Sequence, residues 1–398
     1  MQESDGAGSS VIAERADARP APSRREVLRM SWLKDLKRTL KDLAEPMHVR
    51  AERRTASGLA ARLGVDADST EAGIKDISNT GIHLLTEKRF PIGELLTVTL
   101  QTGGAGQQSP ELQFSVQARV ERQDEDGIAL SFVLPSGLDR EFWGVLLQGV
   151  VLFTDENQIA LMFNIVRTVF FICRLCESGA GEAIGLLSGD LDSGRIETLI
   201  KIAASTEKLL ALEPDAERMR ADPKLVANIL RQGAWAANDG MMQLWSGLLA
   251  SSCSVDAPDD SNQVFVNLLV HITPEEAKIF THACERALGS AEGSGSSPAG
   301  SIVLTPKEMV EITGVHSLSR NVTDVDYLFN LGLLEKPVRS TSYMPTESFD
   351  ITPSSLGLEL YKHCHGSREK VAPQIVEKAN AHLVNFMPQG QTTVNDQP

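Results

Sequence analysis

The sequence contains two arginines and a short polar stretch whose residue types suit nucleotide chemistry. Arg50 and Arg54 stand four positions apart in the pattern R-x-x-x-R, and Asp76, Ser78 and Gly81 follow in the pattern D-x-S-x-x-G. A guanidinium group can bind phosphate through two hydrogen bonds, stack on a purine, or pair with O6 and N7 of guanine. A carboxylate accepts from guanine N–H groups, and glycine lets backbone approach a ligand closely. The set therefore predicts a site for a guanine nucleotide.

Each half of this set also has a simpler interpretation. Arginines spaced R-x-x-x-R are common on solvated helix faces, and Asp, Ser and Gly are ordinary residues of tight turns. The acidic residues Asp66, Asp68 and Glu71 lie between the two halves and would weaken anion binding if they faced the arginines. We place them instead at a hairpin tip that faces solvent. The order of the two halves, with the strand pattern that follows, favours the nucleotide site.

Short strands are predicted on both sides of the polar stretch. From about residue 55 to 133 apolar residues recur at every second position, most clearly in "LQFSVQARVER". Turn-forming residues interrupt this alternation at 90–93, 102–110 and 124–127. Several short strands with turns between them indicate a small antiparallel barrel. The helical pattern of 138–153 then predicts a helix directly after the barrel.

The two motifs at the start of such a barrel resemble the PilZ domain family. The stretch "FPIGELLTVTL" resembles the strand that follows the D-x-S-x-x-G turn in that family. A later hairpin with Val120, Arg122, Gly127 and Phe132 is similar as well. The resemblance extends over roughly residues 47–150.

What the PilZ resemblance implies is binding of the bacterial second messenger cyclic di-GMP. The arginines would hold phosphate and guanine from an arm that precedes the first strand, with Arg53 as a contributor outside the motif. The aspartate and the serine would bind a guanine edge, and the glycine would open the turn. The residues implied for the ligand are Arg50, Arg53, Arg54, Asp76, Ser78 and Gly81.

The second half of the chain is predicted to be mainly α-helical. Apolar residues recur at helical spacing from about 155 to 286, and two of these segments begin with helix-capping residues. Over roughly 155–365 the apolar pattern resembles the Abi-alpha type of abortive-infection protein, although His271 departs from it. This resemblance implies a fold more than an activity. Its clearest element, W-x-x-L-L-A, is formed by Trp245, Leu248, Leu249 and Ala250.

The predicted fold class is an α+β multidomain protein. A small antiparallel PilZ-like barrel is followed by a mainly α-helical domain with a winged-helix-like end. The predicted segments are a disordered tail (1–29), an amphipathic helix (30–46), the barrel (47–153), the helical domain (154–288), a flexible linker or loop (289–301), the winged-helix-like unit (302–366) and a polar tail (367–398).

Composition and charge narrow the function classes. The chain has 398 residues and a formal net charge of −15, which disfavours a nonspecific nucleic-acid binder. Its five cysteines do not predict a disulfide framework, so we expect a cytoplasmic protein. The apolar run 161–173 contains Arg167 and is shorter than a bilayer requires, so it is predicted to be a core helix. Packing is favoured over membrane contact for the amphipathic segment 31–44.

Other residues with chemical potential have weaker patterns around them. Cys173 and Cys176 have the spacing of half a zinc site, but no second pair follows at a suitable distance. His363, Cys364 and His365 are adjacent and cannot easily converge on one ion. No recognisable hydrolase, metalloprotease or nucleotide-hydrolysis motif is present. We therefore expect no metal, no cofactor and no enzymatic activity.

The sequence leads to two function hypotheses. In the first, the protein is a cyclic di-GMP-binding bacterial effector whose barrel senses the nucleotide and whose helical domain acts on an unknown protein partner. In the alternative, it is a non-enzymatic interaction protein, related to phage defence, whose barrel does not bind the ligand.

Overall fold

The computed structural model describes residues 59–64, 69–102, 113–152, 156–187, 192–256, 259–292, 301–335 and 348–384. The predicted disordered tail (1–29) and amphipathic helix (30–46) lie outside these residues.

Six antiparallel strands form a closed barrel, as the alternating pattern predicts. Their order around the barrel is β1-β2-β3-β6-β5-β4, and β1 pairs with β4 to close it. Closure leaves no free sheet edge among these strands. The strands are β1 (Leu59–Leu63), β2 (Thr70–Ile77), β3 (Gly81–Leu85), β4 (Leu95–Thr102), β5 (Gln113–Gln123) and β6 (Gly127–Val133).

The alternation in β5 shows how the sequence fills the barrel. Phe114, Val116, Ala118 and Val120 are buried inside it, while the residues between them face outward and are exposed. Successive side chains of a strand point to opposite faces, so the apolar set lines the interior. The outward positions are thereby free to carry polar chemistry.

Two helices close one end of the barrel through an aromatic cluster. These are α1 (Arg140–Leu152) and α2 (Glu156–Cys176). The fully buried Trp143 of α1 contacts Phe132 edge-on, with ring centroids 5.4 Å apart. Phe163 of α2 lies 5.3 Å from the ring of Phe114 on β5. Aromatic pairs in this geometry add to the free energy gained by burial.

Helix α2 is longer than the apolar run that the sequence analysis singled out. Among the described residues, the stretch Asn157–Gly179 has the length and apolar composition to cross a membrane, so it extends well beyond the run 161–173 on which the prediction of a core helix was based. Most of the stretch is nevertheless buried against the rest of the fold. Its two arginines form ion pairs, Arg167 with Glu207 and Arg174 with Glu217. These features are typical of a core helix.

The following helices pack around α6, which contains the W-x-x-L-L-A stretch. Side-chain caps start three of them, where Asp192, Asp222 and Asn238 accept hydrogen bonds from backbone N–H groups. Helix α6 contacts α4, α5 and α8, and also the later helix α11 (Ser355–Cys364). The helices are α3 (Gly181–Gly185), α4 (Ser193–Leu210), α5 (Pro223–Gly233), α6 (Asp239–Ser251), α7 (Gln263–Leu269) and α8 (Pro274–Glu292).

The last part of the described chain combines short strands with helices. A two-stranded antiparallel pair and an isolated bridge between Leu334 and Pro353 flank α9 and α10. A capping box at Thr305 begins α9, and the left-handed Gly314 ends it. The elements are β7 (Val303–Leu304), α9 (Pro306–Thr313), α10 (Leu318–Asn330), β8 (Phe349–Asp350) and α11 (Ser355–Cys364).

The polar tail predicted from residue 367 onward is corrected by a further helix, α12 (Pro373–Leu383). Its buried residues Ile375, Ala379 and Leu383 recur at helical spacing and pack towards the core. They are few and widely spaced, which is why the segment reads as polar in the sequence.

Candidate functional site

The D-x-S-x-x-G stretch forms the tight turn between β2 and β3. The backbone N–H of Ser78 donates to the carbonyl of Gly81 at 2.9 Å, and that of Gly81 donates back to Ser78 at 3.3 Å. The Ser78 hydroxyl also lies 3.1 Å from Oγ1 of Thr80. Ser78 therefore supports the turn itself, as the simpler interpretation predicts, while its side chain stays partly exposed.

Gly81 is required by close packing between strands. It pairs with Ser131 of β6, and a Cβ atom at position 81 would overlap the carbonyl of Leu130. The glycine therefore lets β3 lie flat against β6, and its expected role of opening the turn stays a prediction. Gly127 stands in the same relation to the carbonyl of Leu84 at the other end of this strand pair.

Asp76 lies at an irregularity in β2. The pairing of β2 with β3 shifts register between Ile74 and Asp76, and Asp76 then pairs with His83. Such bulges often redirect a side chain. The side chain of Asp76 is 28% exposed, and its Oδ2 lies 4.0 Å from Nδ1 of His83. The carboxylate is thus accessible to a ligand on the outside of the barrel.

Small residues form a shallow floor beside Asp76. Gly81 pairs with Ser131, and Ser131 pairs with Arg119 on β5. In the neighbouring row His83 pairs with Ala129. Since Gly, Ala and Ser project little from the barrel, a flat ligand can approach its wall between β3 and β5.

A pocket of about 490 Å³ adjoins this floor. Arg119 and Arg140 line it together with Glu121 and Ser131, whose hydroxyl donates to Glu121. Both arginines are exposed, and they offer positive charge for an anionic ligand. Sequence analysis missed them, and the only signal was the outward position of Arg119 in the alternating strand.

A second polar group surrounds His83. Its Nε2 atom lies 3.5 Å from Oδ2 of Asp124 and 3.7 Å from Oδ1 of Asp126. Arg122 contacts Asp124 at 3.2 Å, and Lys75 forms a salt bridge with Asp126. The hydrogen bond from Lys75 is the main reason that the pKa of Asp126 lies below its usual value. Sequence analysis missed this group because its members come from separate strands and turns.

The predicted arginines Arg50, Arg53 and Arg54 lie outside the described residues. The structure therefore brings together only the other half of the predicted site, Asp76, Ser78 and Gly81, and adds Arg119 and Arg140 beside it.

The remaining candidates are parts of the core. All five cysteines are buried and free, and burial raises the pKa of both Cys173 and Cys176 to about 12. Neutral thiols of this kind are poor nucleophiles and metal ligands. His363 packs on the ring of Phe265, and burial lowers its pKa, while His365 lies against Tyr361. The two histidines thus have separate surroundings.

Comparison with protein families assigns two segments of the chain. Residues 48–142 match the family model of the PilZ domain, and residues 195–370 match that of abortive infection alpha. No curated protein gave a significant match. The two resemblances found in the sequence are thereby confirmed: the segment that matches the PilZ domain contains the barrel, and the segment that matches abortive infection alpha forms much of the helical part.

The PilZ match relates the candidate site residues on the barrel to a ligand. The PilZ segment contains all six residues implied for cyclic di-GMP, and the PilZ match implies the capacity to bind that nucleotide. Residues 143–194, which include most of α1 and all of α2, belong to neither match. In the sequence these helices lie between the two matched segments.

Proposed function

We propose that this protein is a cyclic di-GMP effector whose barrel binds the nucleotide and whose helical part carries the output. The observation that supports this most is the accessible carboxylate of Asp76, placed beside a floor of small residues within a PilZ domain. A guanine base laid on that floor would donate its N–H groups to Asp76. Phosphate groups would then face the pocket lined by Arg119 and Arg140.

The position of β1 allows the motif arginines to join this site. Strand β1 runs antiparallel to β2, with Leu63 opposite Thr70 and Ala61 opposite Ala72. The beginning of β1 is therefore on the same side as the Asp76 end of β2. Arg54 precedes Leu59 by five residues, and an extended chain of that length spans at most about 18 Å. Both Arg50 and Arg54 are proposed to hold phosphate or guanine.

The output route that we propose passes through α1 and α2. The side chain of Asn79, in the turn after Asp76, packs on Gly144 of α1. Helix α2 then contacts α4, and Arg167 pairs with Glu207 across that contact at 3.6 Å. A shift of the turn would reach the abortive-infection-alpha segment through these contacts. We assign no catalytic role to that segment, and we expect its target to be a protein in the cytoplasm.

Isothermal titration of the full chain with cyclic di-GMP tests the proposal. We expect saturable binding, weakened in both Asp76→Ala and Arg54→Ala. The loss of a hydrogen bond to a charged group costs about 1.5–3 kcal/mol, so each variant should lose roughly tenfold or more in affinity. Matched controls are Asp215→Ala and Arg218→Ala, an exposed pair in the helical part.

The outcomes of this titration separate the two function hypotheses. Normal binding by the controls and loss in the site variants supports the proposal. Absence of wild-type binding at tens of micromolar nucleotide favours the alternative, a non-enzymatic interaction protein related to phage defence. Equal binding by wild type and both site variants would show that the ligand binds elsewhere.

A further inference from the structure

We propose that His83, Asp124 and Asp126 bind a divalent transition-metal cation on the outside of the barrel, and that Zn²⁺ suits them best. This site goes beyond the proposed function, because none of its three ligands belongs to the nucleotide motifs. An imidazole nitrogen and two carboxylate oxygens are a usual ligand set for Zn²⁺ and related ions.

The distances between the three groups fit one bound ion. Nε2 of His83 lies 3.5 Å from the nearest oxygen of Asp124 and 3.7 Å from that of Asp126. One ligand atom from each residue falls within 4.8 Å of the others. Zinc bonds of about 2.1 Å at tetrahedral angles separate two ligand atoms by about 3.4 Å. The ion would thus fit between the three groups after small side-chain movements.

The histidine supplies an independent indication that a ligand binds here. Its side chain is only 7% exposed, and Nε2 is buried without a hydrogen-bond partner. A buried polar atom without a partner costs free energy. Because Nε2 faces two carboxylates beyond hydrogen-bond distance, a bound cation would satisfy all three groups at once.

The other ring nitrogen is oriented towards a further carboxylate. Nδ1 of His83 lies 4.0 Å from Oδ2 of Asp76. Metal-binding histidines commonly direct their second nitrogen towards a carboxylate, which favours one tautomer and one ring orientation. With the proton on Nδ1, the lone pair of Nε2 faces Asp124 and Asp126.

The two carboxylates are held on a rigid hairpin turn. Asp124 and Gly127 exchange backbone hydrogen bonds at 2.9 and 3.4 Å. The Arg89 guanidinium donates to the carbonyls of Asp124, Glu125 and Gly127. The backbone that presents both ligands is therefore fixed before any ion binds, which lowers the entropic cost of binding.

Two basic side chains compete for the same carboxylates. Lys75 occupies Oδ2 of Asp126, which leaves Oδ1 facing the histidine. Arg122 contacts Oδ2 of Asp124, the oxygen that also faces His83. These contacts neutralise part of the negative charge, so we expect moderate affinity. Lys75→Met should therefore increase affinity for the metal.

Titration of chelator-treated protein with Co²⁺ alone, without nucleotide, tests the site. We expect the visible absorption of four-coordinate Co²⁺, and its displacement by Zn²⁺. Asp124→Asn and Asp126→Asn should each reduce Co²⁺ affinity at least tenfold, and His83→Gln should abolish the signal. Circular dichroism verifies folding, and the two asparagine variants serve alone if the buried histidine variant unfolds. His316→Gln, at an exposed histidine outside the site, is the matched control.

The outcomes decide for or against this site independently of cyclic di-GMP. Loss of the signal in the site variants and retention in the control support it. Absence of Co²⁺ and Zn²⁺ binding at millimolar metal overturns it, and so does a signal that persists in folded Asp124→Asn and Asp126→Asn proteins. Failure here leaves the nucleotide titration unaffected, since that experiment needs no metal.

Discussion

Gly144 of α1 lies directly against the side chain of Asn79, in the turn that follows Asp76. A methyl group on Gly144 would be 3.2 Å from Cβ of Asn79, closer than carbon atoms normally approach. The absence of a side chain at this helical position therefore lets α1 rest on the turn of the proposed nucleotide site. The proposed output route therefore begins at this contact.

The first prediction follows from this contact. Gly144→Val should displace Asn79 and the turn, and reduce cyclic di-GMP affinity several-fold while the barrel stays folded. Isothermal titration and circular dichroism measure the two quantities. Gly289→Ala is the control, because it lies in helix α8 with no atom near the added methyl group, and it should leave binding unchanged. Wild-type affinity in Gly144→Val would show that the turn and α1 are independent.

Gly81→Ala should destabilise the barrel, because the new methyl group overlaps the carbonyl of Leu130. Overpacking of this kind costs about 1–3 kcal/mol in the free energy of unfolding. Urea denaturation of the two proteins measures the loss. Gly73→Ala, in the adjacent strand, adds a methyl group at an ordinary distance of 3.6 Å from Leu85 and should cost less. Equal losses in the two variants would contradict the strand-packing role of Gly81.

Trp143 should be the main anchor of α1 on the barrel. Its ring is fully buried between Phe132, Phe114 and Phe170, so Trp143→Ala should cost about 3–5 kcal/mol of stability. Its indole N–H is buried without a hydrogen-bond partner. Trp143→Phe should therefore lose much less than the alanine variant. Denaturant titrations of both variants test this order, and an alanine variant as stable as the phenylalanine variant would contradict it.

Glu276 should make stability depend on pH. Burial raises its pKa above the usual value, and the nearby Asp324 adds to the effect. The folded state then holds the proton more tightly than the unfolded state, so this group lowers stability as pH rises from about 4.5 through the raised pKa. Glu276→Gln removes the titration and should flatten the curve of unfolding free energy in that interval. An unchanged curve would show that Glu276 does not contribute.

Hydrogen exchange with and without cyclic di-GMP tests the output route. We expect increased protection of backbone amides from exchange at 76–85, in α1 and α2, and in part of 155–290. The reason is that each of these segments contacts the next one in the folded structure. A coupling free energy of about 1–3 kcal/mol is typical of such linkage. Changes confined to the barrel would mean that the helical part does not respond to the nucleotide.

Local sequence patterns predicted the barrel strands and many of the helices. The alternation in β5 predicts its buried face because strand periodicity depends only on neighbouring residues. The pairing of β1 with β4, which closes the barrel, involves residues far apart in the chain and leaves no local signal. The sparse apolar positions of α12 likewise gave too weak a period to identify that helix.

The candidate site was predictable where it depended on a contiguous motif. Asp76, Ser78 and Gly81 occur within one short stretch, so their joint position in a turn could be anticipated. His83 meets Asp124 and Asp126 only because β3 and β6 are paired in the barrel. Arg119 and the Ser78 turn are likewise far apart in the sequence. Neither the group of His83 with its two aspartates nor the position of Arg119 beside the turn can be identified from the sequence without the register of the strands.

Helices α1 and α2, which join the barrel to the helical part, limit where recombination could divide the chain without disrupting the fold. A recombination event at the C-terminal edge of the PilZ match, after residue 142, would separate Trp143 and Phe163 from the aromatic rings that they contact on β5 and β6. The severed halves would each expose an apolar surface with a strong tendency to aggregate. A productive exchange must therefore keep 143–194 together with the barrel.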